Sequence, residues 1–365
     1  MMISVAFTGG GTGGHIYPGL AVAARLKQLL PCRIFWLGAD RGLDRSIVED
    51  AGLEFFDIPV GKLRRYFSLK NVSDVFMIAS GFFKARKILK TEKPALLFSK
   101  GGFVSVPPCA AAFSLKIPVF SHESDLSPGL ATRINLRFSQ KIFIPYKETA
   151  SFFPSFRRGA LEVSGNPVRS EFSNADPKAG RAFLGLGKRE RILLVLGGSQ
   201  GSREINELVK ACLPVMTGYY TVVHQTGAQD EVFTPKDKYR PYAYIKEEMP
   251  HVIAAAELVI CRGGAGTLWE CGALGKPMII IPLRGSGTRG DQVENARIFE
   301  KSGGAVCLTE DPSGTESMAH RLEALVLKLA GDEKRRQAMA ASMFGGMDAS
   351  GCIARAIAEK VREYE

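Results

Sequence analysis

The chain has 365 residues, of which 45% are hydrophobic and 23% are charged, and its mean hydropathy is +0.01. This composition is typical of a folded globular protein and excludes disordered and collagen-like classes. The net charge is +11, and residues 1–165 hold 22 Lys and Arg against 12 Asp and Glu, which indicates either an anionic partner for that half or a solvated basic face.

The first half alternates short apolar segments with longer helical patterns. The segment ISVAFTG at 3–9 predicts a first strand rather than a signal peptide, because no basic residues precede it. A helical pattern follows at 18–30, a second strand at 33–39, and further elements in ALLFSKGG (95–102), PPCAAAFSL (107–115) and IPVFSHES (117–124). This alternation predicts βαβ units and a parallel sheet covered on both faces.

The same alternation returns in the second half, from RILLVLGGSQGSREINELVKACLPVM at 191–216 to PMIIIPL at 277–283. We therefore predict an α/β protein with two Rossmann-like, doubly wound domains that face each other across a ligand-binding cleft. Asn166-Pro167 interrupts regular structure, so the domains are predicted at 1–164 and 165–347. Residues 348–365 predict a helix that packs back on the first domain.

Three predicted strands run into glycine clusters that open helices: AFTGGGTGGHIYPG at 6–19, SKGGFVSVPPC at 99–109 and LGGSQGSREIN at 196–206. Glycines permit a close backbone approach, and a helix N-terminus attracts anions. The first cluster contains the G-x-G-x-x-G spacing of dinucleotide-binding folds, with Asp40 after the next strand, but His15 and Pro18 are unexpected there. An NAD(P) site is therefore the weaker alternative.

Two other sites are not indicated by these patterns. No glycine cluster continues into the Gly-Lys-Ser/Thr of a Walker loop, and no His-x-x-x-His or Asp-x-Asp pattern is present. We expect no cofactor or metal, so the charge on a leaving group would be met by backbone dipoles and an arginine, Arg169.

Six segments make a family resemblance specific. They are GGTGGHIYPGLAVA (10–23), HESDLSPGLATR (122–133), GNPVR (165–169), LGGSQGSREIN (196–206), CRGGAGTLWECGALGKPMIIIPL (261–283) and DQVENA (291–296). Together they closely resemble the MurG family of glycosyltransferases, over about residues 3–310. The resemblance implies a GT-B fold and transfer of N-acetylglucosamine from UDP-N-acetylglucosamine, bound by the second domain, to lipid I, the undecaprenyl-linked muramyl-pentapeptide precursor of peptidoglycan, bound by the first.

The resemblance also implies contacts to the donor. The residues concerned are Arg169, Ser199, Ile245, Ala265, Gly266, Thr267, Leu268, Glu270 and Gln292. Glu270 would accept hydrogen bonds from the ribose hydroxyls, residues 265–268 would open a helix under the diphosphate, and Gln292 would bind sugar hydroxyls. Two purely structural alternatives stay open: Ser199 could be only a helix N-cap, and Glu270 could be only a surface carboxylate.

The implied reaction is an inverting displacement, in which the muramyl 4-hydroxyl attacks the anomeric carbon as UDP departs. His15 is the first candidate for the base, and Asp125 and Glu123 are second choices. His15 could instead bind a phosphate or cap the helix. Thr12, Gly13 and Gly14 are expected to meet the acceptor diphosphate or the donor sugar.

One departure concerns the family pattern His-Glu-Gln-Asn, which reads His-Glu-Ser-Asp at 122–125 in this chain. Asp125 still accepts hydroxyl hydrogen bonds, but it lacks amide donors and adds a negative charge. We therefore expect an altered sugar contact. A transferase with a different acceptor, or a nucleotide-sugar-binding protein without turnover, stays an alternative.

The basic excess is concentrated between Lys62 and Lys100, which enclose ten Lys and Arg with only two acidic residues. The apolar and basic residues that could form a lipid-facing surface here are Val75, Phe76, Ile78, Phe82, Phe83, Lys84, Arg86 and Lys87. The alternative is that these aromatics belong to a helix core. Nucleic acid is not expected, since no known binding module is present.

Cysteine usage and hydropathy bear on location. Seven cysteines are scattered without a Cys-x-x-Cys pair, which indicates a reducing compartment. No stretch approaches the roughly 18 uninterrupted apolar residues of a membrane-spanning helix. We therefore predict a peripheral protein on the cytoplasmic face of the bacterial inner membrane.

Overall fold

The computed structural model describes residues 3–39, 44–61, 70–198, 201–227, 235–284, 290–309, 317–344 and 347–363. The chain divides into two compact units, Met1–Arg169 with Met347–Glu365 as the first and Ser170–Gly346 as the second. The predicted residues Asp40, Lys62 and Ser199 lie outside the described parts of the chain.

The strands in chain order are β1 (Ser4–Thr8), β2 (Arg33–Gly38), β3 (Glu54–Asp57), β4 (Leu96–Ser99), β5 (Val119–His122), β6 (Lys141–Ile144), β7 (Leu161–Val163), β8 (Ile192–Leu196), β9 (Thr221–Gln225), β10 (Tyr239–Tyr242), β11 (Leu258–Cys261), β12 (Met278–Ile280) and β13 (Ala305–Cys307). All named pairings between them are parallel, as the βαβ patterns predicted.

The helices in chain order are α1 (Tyr17–Leu29), α2 (Asp44–Asp50), α3 (Lys70–Glu92), α4 (Val106–Ser114), α5 (Leu130–Asn135), α6 (Pro177–Leu184), α7 (Arg203–Tyr219), α8 (Met249–Ala255), α9 (Ala265–Ala273), α10 (Asp291–Lys301), α11 (Met318–Gly331), α12 (Glu333–Ala341) and α13 (Ala349–Arg362). Short 3-10 turns supplement them, including Gly13–His15 before α1. Among the described helices, none combines the length and apolar content needed to cross a membrane.

The first unit contains a seven-stranded sheet in the order β3-β2-β1-β4-β5-β6-β7. Successive side chains of β1 alternate between two cores, because Val5 and Phe7 join one apolar cluster and Ala6 the other. The helices α1 and α13 pack together on one face, where Ile357 of α13 is fully buried. The helices α3 and α4 pack on the other face. Both faces are thus covered, as a parallel sheet requires.

The second unit contains a six-stranded sheet in the order β10-β9-β8-β11-β12-β13. Its main core joins the sheet to α7 and α11, with Val209 and Val326 fully buried. The α7 helix begins at Ser202, whose hydroxyl accepts a hydrogen bond from the Ile205 N–H and so caps the helix. In both units the order of strands reverses direction beside the first strand, which places a crevice at the carboxyl ends of neighbouring strands. The predicted α/β class with two doubly wound sheets is confirmed.

Candidate active site

The opening glycine loop of the first unit holds a protein carboxylate. The Gly11 N–H donates to Asp44 Oδ2 at 2.7 Å, and a Cβ on Gly10 would lie 2.4 Å from the same oxygen. Burial raises the pKa of Asp44, and the hydrogen bond from Gly11 lowers it. A negative group from α2 therefore already occupies this part of the loop, which disfavours a phosphate at Gly10 and Gly11 and weighs against a dinucleotide site.

The 3-10 turn that follows presents the predicted acceptor-facing residues. Thr12 and Gly14 are exposed, and Gly13 and His15 are half-buried. The His15 N–H donates to Thr12 O at 3.0 Å, which fixes the backbone of the turn. The turn thus presents Thr12 and Gly14 at the surface of the first unit, with His15 partly exposed beside them.

Two glycines after β4 make room for the His15 ring. Gly102 has φ +75°, and a Cβ there would meet His15 Cδ2 at 3.0 Å and Gly10 O at 2.7 Å. A Cβ on Gly101 would lie 3.9 Å from His15 Nδ1 and 3.8 Å from His122 O. The segment SKGG therefore brings the ends of β1, β4 and β5 close together around the imidazole.

Arg169, predicted for the donor diphosphate, lies in the first unit with the opening motif. Its guanidinium carbon is 5.0 Å from the centre of the Tyr17 ring, a cation–π contact with the first residue of α1. The segments GNPVR and HIYPG, far apart in sequence, are thus neighbours in the structure. Arg169 is half-buried, so part of its fork of donors is accessible.

The Glu123 side chain organises the loop after β5. Its Oε1 accepts from the N–H groups of Ser124 (2.8 Å) and Asp125 (3.1 Å), and its Oε2 accepts from Gly129 N–H at 3.1 Å. Both oxygens of this buried carboxylate are committed to backbone donors, so the geometry favours a structural role over proton transfer. Asp125 is half-buried at the exit of the same loop.

His122, one residue earlier, is also a buried part of the scaffold. Its Nε2 lies 3.0 Å from Gly165 O, and burial together with the nearby Lys100 lowers its pKa well below 6.5. The ring is therefore neutral at physiological pH. Lys100 itself, a buried lysine at the end of an apolar strand, was not predicted as a site residue, although FSKGG in the sequence offered that signal.

In the second unit the predicted diphosphate loop opens α9. Gly264 is the N-cap, and because glycine has no side chain, the N-cap residue does not cover the first N–H groups of the helix, which can therefore meet a ligand or solvent. Gly266 is exposed, Thr267 is half-buried, and Leu268 is fully buried. Leu268 therefore lies in the interior beneath the surface of the loop, and its contact with a donor stays a prediction.

The first turn of α10 touches this loop closely. A Cβ on Gly263 would lie 2.2 Å from Gln292 O, and Asn295 Nδ2 donates to Gly263 O at 3.3 Å. Gln292 Oε1 accepts from the Leu283 N–H at 2.9 Å, which orients the amide. Glu270 is half-buried one helical turn after Gly266 on α9. The structure thus brings the implied diphosphate, ribose and sugar residues of the second unit together.

Sequence reasoning missed a side chain that links two predicted donor segments. Gln225, at the end of β9, accepts at Oε1 from the Ile245 N–H at 3.0 Å and donates from Nε2 to Gly198 O at 3.5 Å. It therefore connects the predicted uridine segment to the glycine loop after β8. The motif HQTG shows a polar pair at a strand end, which is the signal that could have found it.

Family comparisons agree with this geometry over most of the chain. The model of the glycosyltransferase family 28 N-terminal domain matches residues 5–144, and the model of the C-terminal domain of that family matches residues 192–351. A Treponema denticola protein is 48% identical over 332 residues, which is 85% of each chain. A Shouchella clausii protein is 42% identical, covering 89% of this chain and 91% of its own. Both are named UDP-N-acetylglucosamine–N-acetylmuramyl-(pentapeptide) pyrophosphoryl-undecaprenol N-acetylglucosamine transferase.

A solved structure supports the same fold. The crystal structure of Acinetobacter baumannii MurG superposes with a TM-score of 0.73 at 23% sequence identity, covering 98% of this chain and 99% of that one. At this identity the likeness concerns the fold of the chain, with its two parallel-sheet units.

Proposed function

The chain belongs to glycosyltransferase family 28, and we propose that it transfers N-acetylglucosamine from UDP-N-acetylglucosamine to the muramyl sugar of lipid I, which yields lipid II for peptidoglycan synthesis. The observation that carries this proposal is the 48% identity, over 85% of the chain, to a transferase named for that donor and acceptor. Within the second unit the predicted loop before α9 and Gln292 lie close together, and within the first unit Arg169 lies beside the opening motif, which supports the same activity.

We assign donor recognition to the second unit. The open N-terminus of α9 offers N–H groups and a partial positive charge to a diphosphate. Glu270 lies one turn further along α9, where a carboxylate can accept from two vicinal ribose hydroxyls. Gln292 is held beside the loop by Leu283, so its amide is preorganised for sugar hydroxyls. Ile245 is expected to meet the uracil through its backbone, and Ser199 stays a prediction from the sequence.

Charge stabilisation of the leaving UDP is proposed to come from the protein alone. Arg169 supplies a permanent positive charge, and the α9 N-terminus supplies oriented dipoles. We therefore expect turnover to persist in EDTA. A rate that is lost in EDTA and restored by Mg²⁺ would contradict this step.

Acceptor recognition and proton removal are assigned to the first unit. His15 is the proposed base, because its imidazole is half-buried in a loop of fixed backbone beside the ends of three strands. Thr12, Gly13 and Gly14 are proposed to meet the acceptor diphosphate or the donor sugar. Asp125 is proposed to accept a hydroxyl of the acceptor sugar, and it is the second candidate for the base.

We also propose that α3 places the first unit on an anionic membrane surface. Phe76 and Phe83 are 73% and 68% exposed and lie seven residues apart, so they share one face of the helix. Lys87 follows Phe83 by one turn on the same face and is exposed. Such a face suits an interface with acidic lipid headgroups.

The remaining predicted residues of this segment divide between the surface and the core. Phe82 and Ile88 pack on the core beside α4, so the helix-core alternative holds for Phe82, and Ile78 is half-buried. Lys84 donates to Asp57 at 2.6 Å, and Arg86 Nε donates to Ser114 Oγ at 3.2 Å. The side chain of Val75 lies outside the described residues. The seven cysteines are free thiols, which supports the proposed cytoplasmic face.

An assay of substrate specificity tests the proposed donor and acceptor. Purified protein is given UDP-N-acetylglucosamine, UDP-glucose or UDP-N-acetylgalactosamine, each with a lipid I analogue or with an unrelated lipid alcohol. We expect transfer only from UDP-N-acetylglucosamine to the lipid I analogue. Equal transfer to the unrelated alcohol would favour a different acceptor, and donor binding without transfer would favour a binding protein.

A further inference from the structure

A buried lysine joins the acceptor-side segments of the first unit. Lys100 follows β4 and is 1% exposed. Its Nζ donates to Ser124 Oγ at 2.5 Å. An ammonium group is strongly hydrated in water, and burying it is costly unless hydrogen bonds and opposite charges compensate. The surroundings of Lys100 therefore need to supply that compensation.

The hydrogen-bond partner of Lys100 continues the network. Ser124 Oγ donates to Asn166 Oδ1 at 3.0 Å, and Asn166 Nδ2 donates back to Ser124 O at 3.4 Å. Asn166 precedes Pro167 in the segment that carries Arg169. Lys100 is thus connected through Ser124 to two of the motifs identified in the sequence, HESDLSPGLATR and GNPVR.

The stem of Lys100 touches the opening glycine loop as well. A Cβ added to Gly9 would lie 3.1 Å from Lys100 Cβ, and one added to Gly19 would lie 3.7 Å from it. The glycines therefore let the lysine stem pass close to the backbone that leads to His15. One side chain contacts the loop before His15, the loop after β5 and, through Ser124, the segment before Arg169.

Charge compensation comes from the two carboxylates that flank Ser124. Burial lowers the pKa of Lys100 to about 8, while Glu123 and Asp125 act in the opposite direction. Glu123 is already stabilised by three backbone N–H groups. Asp125 is the half-buried member of the pair, whereas Glu123 is buried. The lysine therefore offsets a negative charge at the position where the family pattern has a neutral asparagine.

We propose that Lys100 is a positioning residue of the acceptor site, which holds Ser124 and Asn166 in place and balances the Asp125 carboxylate so that this carboxylate can receive acceptor hydroxyls. The inference rests on the proposed function, because it assumes that the acceptor carries a sugar. Lys100 itself is too deeply buried to touch substrate, so its effect on the reaction passes through Ser124 and Asp125.

A double-mutant cycle with Lys100→Met and Asp125→Asn tests the coupling. With saturating UDP-N-acetylglucosamine, we expect Lys100→Met alone to raise the KM for a lipid I analogue about tenfold or more, since neighbouring charged groups couple strongly. In the Asp125→Asn background the same substitution should change that KM less than about threefold. Equal effects in the two backgrounds would overturn the proposal.

A matched control separates the general effect of removing a hydrogen-bonded lysine from the particular effect of removing Lys100. Lys276 of the second unit is half-buried, and its Nζ donates to Ala254 O at 2.6 Å and Ala256 O at 3.0 Å. Lys276→Met should leave the acceptor KM unchanged. The donor KM should be unchanged by Lys100→Met. An equal rise of acceptor KM in both lysine variants would also overturn the proposal.

Lys100→Gln serves if Lys100→Met does not fold, because an amide still donates to Ser124 but carries no charge. It should raise the acceptor KM in the wild-type background and not with Asp125→Asn. The cycle is repeated on urea-unfolding midpoints, which need no turnover. In this second cycle, Lys100→Gln should shift the urea-unfolding midpoint in a less stable direction in the wild-type background than in the Asp125→Asn background.

The two readouts distinguish this inference from the proposed function. If the wild-type protein fails to transfer the sugar, the proposed function fails, and additive or coupled unfolding midpoints still decide whether Lys100 and Asp125 are paired. If transfer occurs and both cycles are additive, only the role of Lys100 is refuted.

Discussion

Single side chains decide how the opening loop functions. The glycines of the loop, taken alone, predict a site for an anion, yet Asp44 supplies a carboxylate to Gly11 from within the chain. The residues of the loop that can contact a ligand are therefore Thr12, Gly14 and His15 of the 3-10 turn. Replacement of an external anion by an internal one could not be predicted, since Asp44 is 33 residues away from Gly11.

The proposed base gives a first prediction at this scale. Removing the imidazole with His15→Ala should lower kcat by about 100-fold or more, the usual contribution of general base catalysis, while the donor KM changes less than about twofold. Steady-state kinetics with a lipid I analogue measures both. His320→Ala, an exposed histidine at the start of α11, is the matched control and should leave kcat unaltered. Unchanged turnover in His15→Ala would remove His15 from the mechanism.

A second prediction concerns the buried His224 of the second unit. Its ring bonds Asn206 Oδ1 at 3.1 Å and Tyr239 OH at 3.0 Å, and burial lowers its pKa from 6.5 to about 4. The unfolded chain binds the proton more readily, so stability falls as the pH drops from about 6.5 to about 4, by about 3 kcal/mol from this group.

Urea unfolding of the full-length protein at about pH 7.0 and about pH 4.5, near the two ends of this window, measures the loss. The loss should be smaller in His224→Gln, whose amide does not titrate, than in the wild type. In His320→Gln it should equal that of the wild type. A loss of equal size in all three proteins would contradict the assignment to His224.

Sequence patterns identified polar residues at strand ends but not their partners. His15, Asp125 and Gln292 were singled out from motifs, and each lies at or beside the carboxyl end of a strand, where α/β folds bind ligands. Lys100 and Gln225 were missed because their importance comes from contacts with residues 20 to 24 positions away. Periodicity carries no information about such contacts.

At the scale of elements, strands and helices followed the apolar patterns closely. The predicted strand at 33–39 corresponds to β2 (Arg33–Gly38), and the predicted helix at 18–30 to α1 (Tyr17–Leu29). The tight junction between the loop that opens α9 and the first turn of α10, called the α9–α10 junction below, was not predicted. It depends on the absence of a side chain at Gly263, whose role is clear only when Gln292 is in place.

That junction gives a prediction with a neighbouring glycine as control. Gly263→Ala would place a Cβ 2.2 Å from Gln292 O, so the loop before α9 and the first turn of α10 must move apart, and we expect a loss of about 1–3 kcal/mol of unfolding free energy. Gly264→Ala meets nothing within 4 Å and should cost less than about 1 kcal/mol.

Urea unfolding and isothermal titration with UDP measure the consequences. Because Gln292 and the α9 loop are proposed to share the donor, Gly263→Ala should also weaken UDP binding. Equal stability of the two alanine variants would show that the α9–α10 junction tolerates the extra carbon and would refute its proposed tightness.

At the scale of the whole molecule, the charge is divided unevenly between the two halves of the sequence, and the exposed aromatics of α3 lie in the basic half. A hydrophobic pair such as Phe76 and Phe83 binds lipid by burying area, and the surrounding lysines add a salt-sensitive attraction. The combination predicts a membrane contact that needs both acidic lipid and apolar side chains.

Vesicle co-sedimentation tests this prediction. Wild-type protein should bind vesicles that contain phosphatidylglycerol, and binding should weaken in high salt and on neutral vesicles. The double variant Phe76→Ser, Phe83→Ser should lower the vesicle–water partition coefficient at least about tenfold, because each phenylalanine contributes roughly 1 kcal/mol or more when it is buried in lipid. Tyr219→Ser, which removes an exposed aromatic from α7 of the second unit, is the control and should bind like the wild type. Binding indifferent to lipid charge and salt would contradict the proposal.

The central claim is the transfer itself, and the structure of its product tests it most directly. The purified protein is incubated with UDP-N-acetylglucosamine and a lipid I analogue, and the disaccharide product is analysed by NMR. The account predicts a single new β-1,4 link between N-acetylglucosamine and the muramyl 4-hydroxyl, formed with inversion at the anomeric carbon. An α link, a link to another hydroxyl, or bound donor without a disaccharide would contradict it.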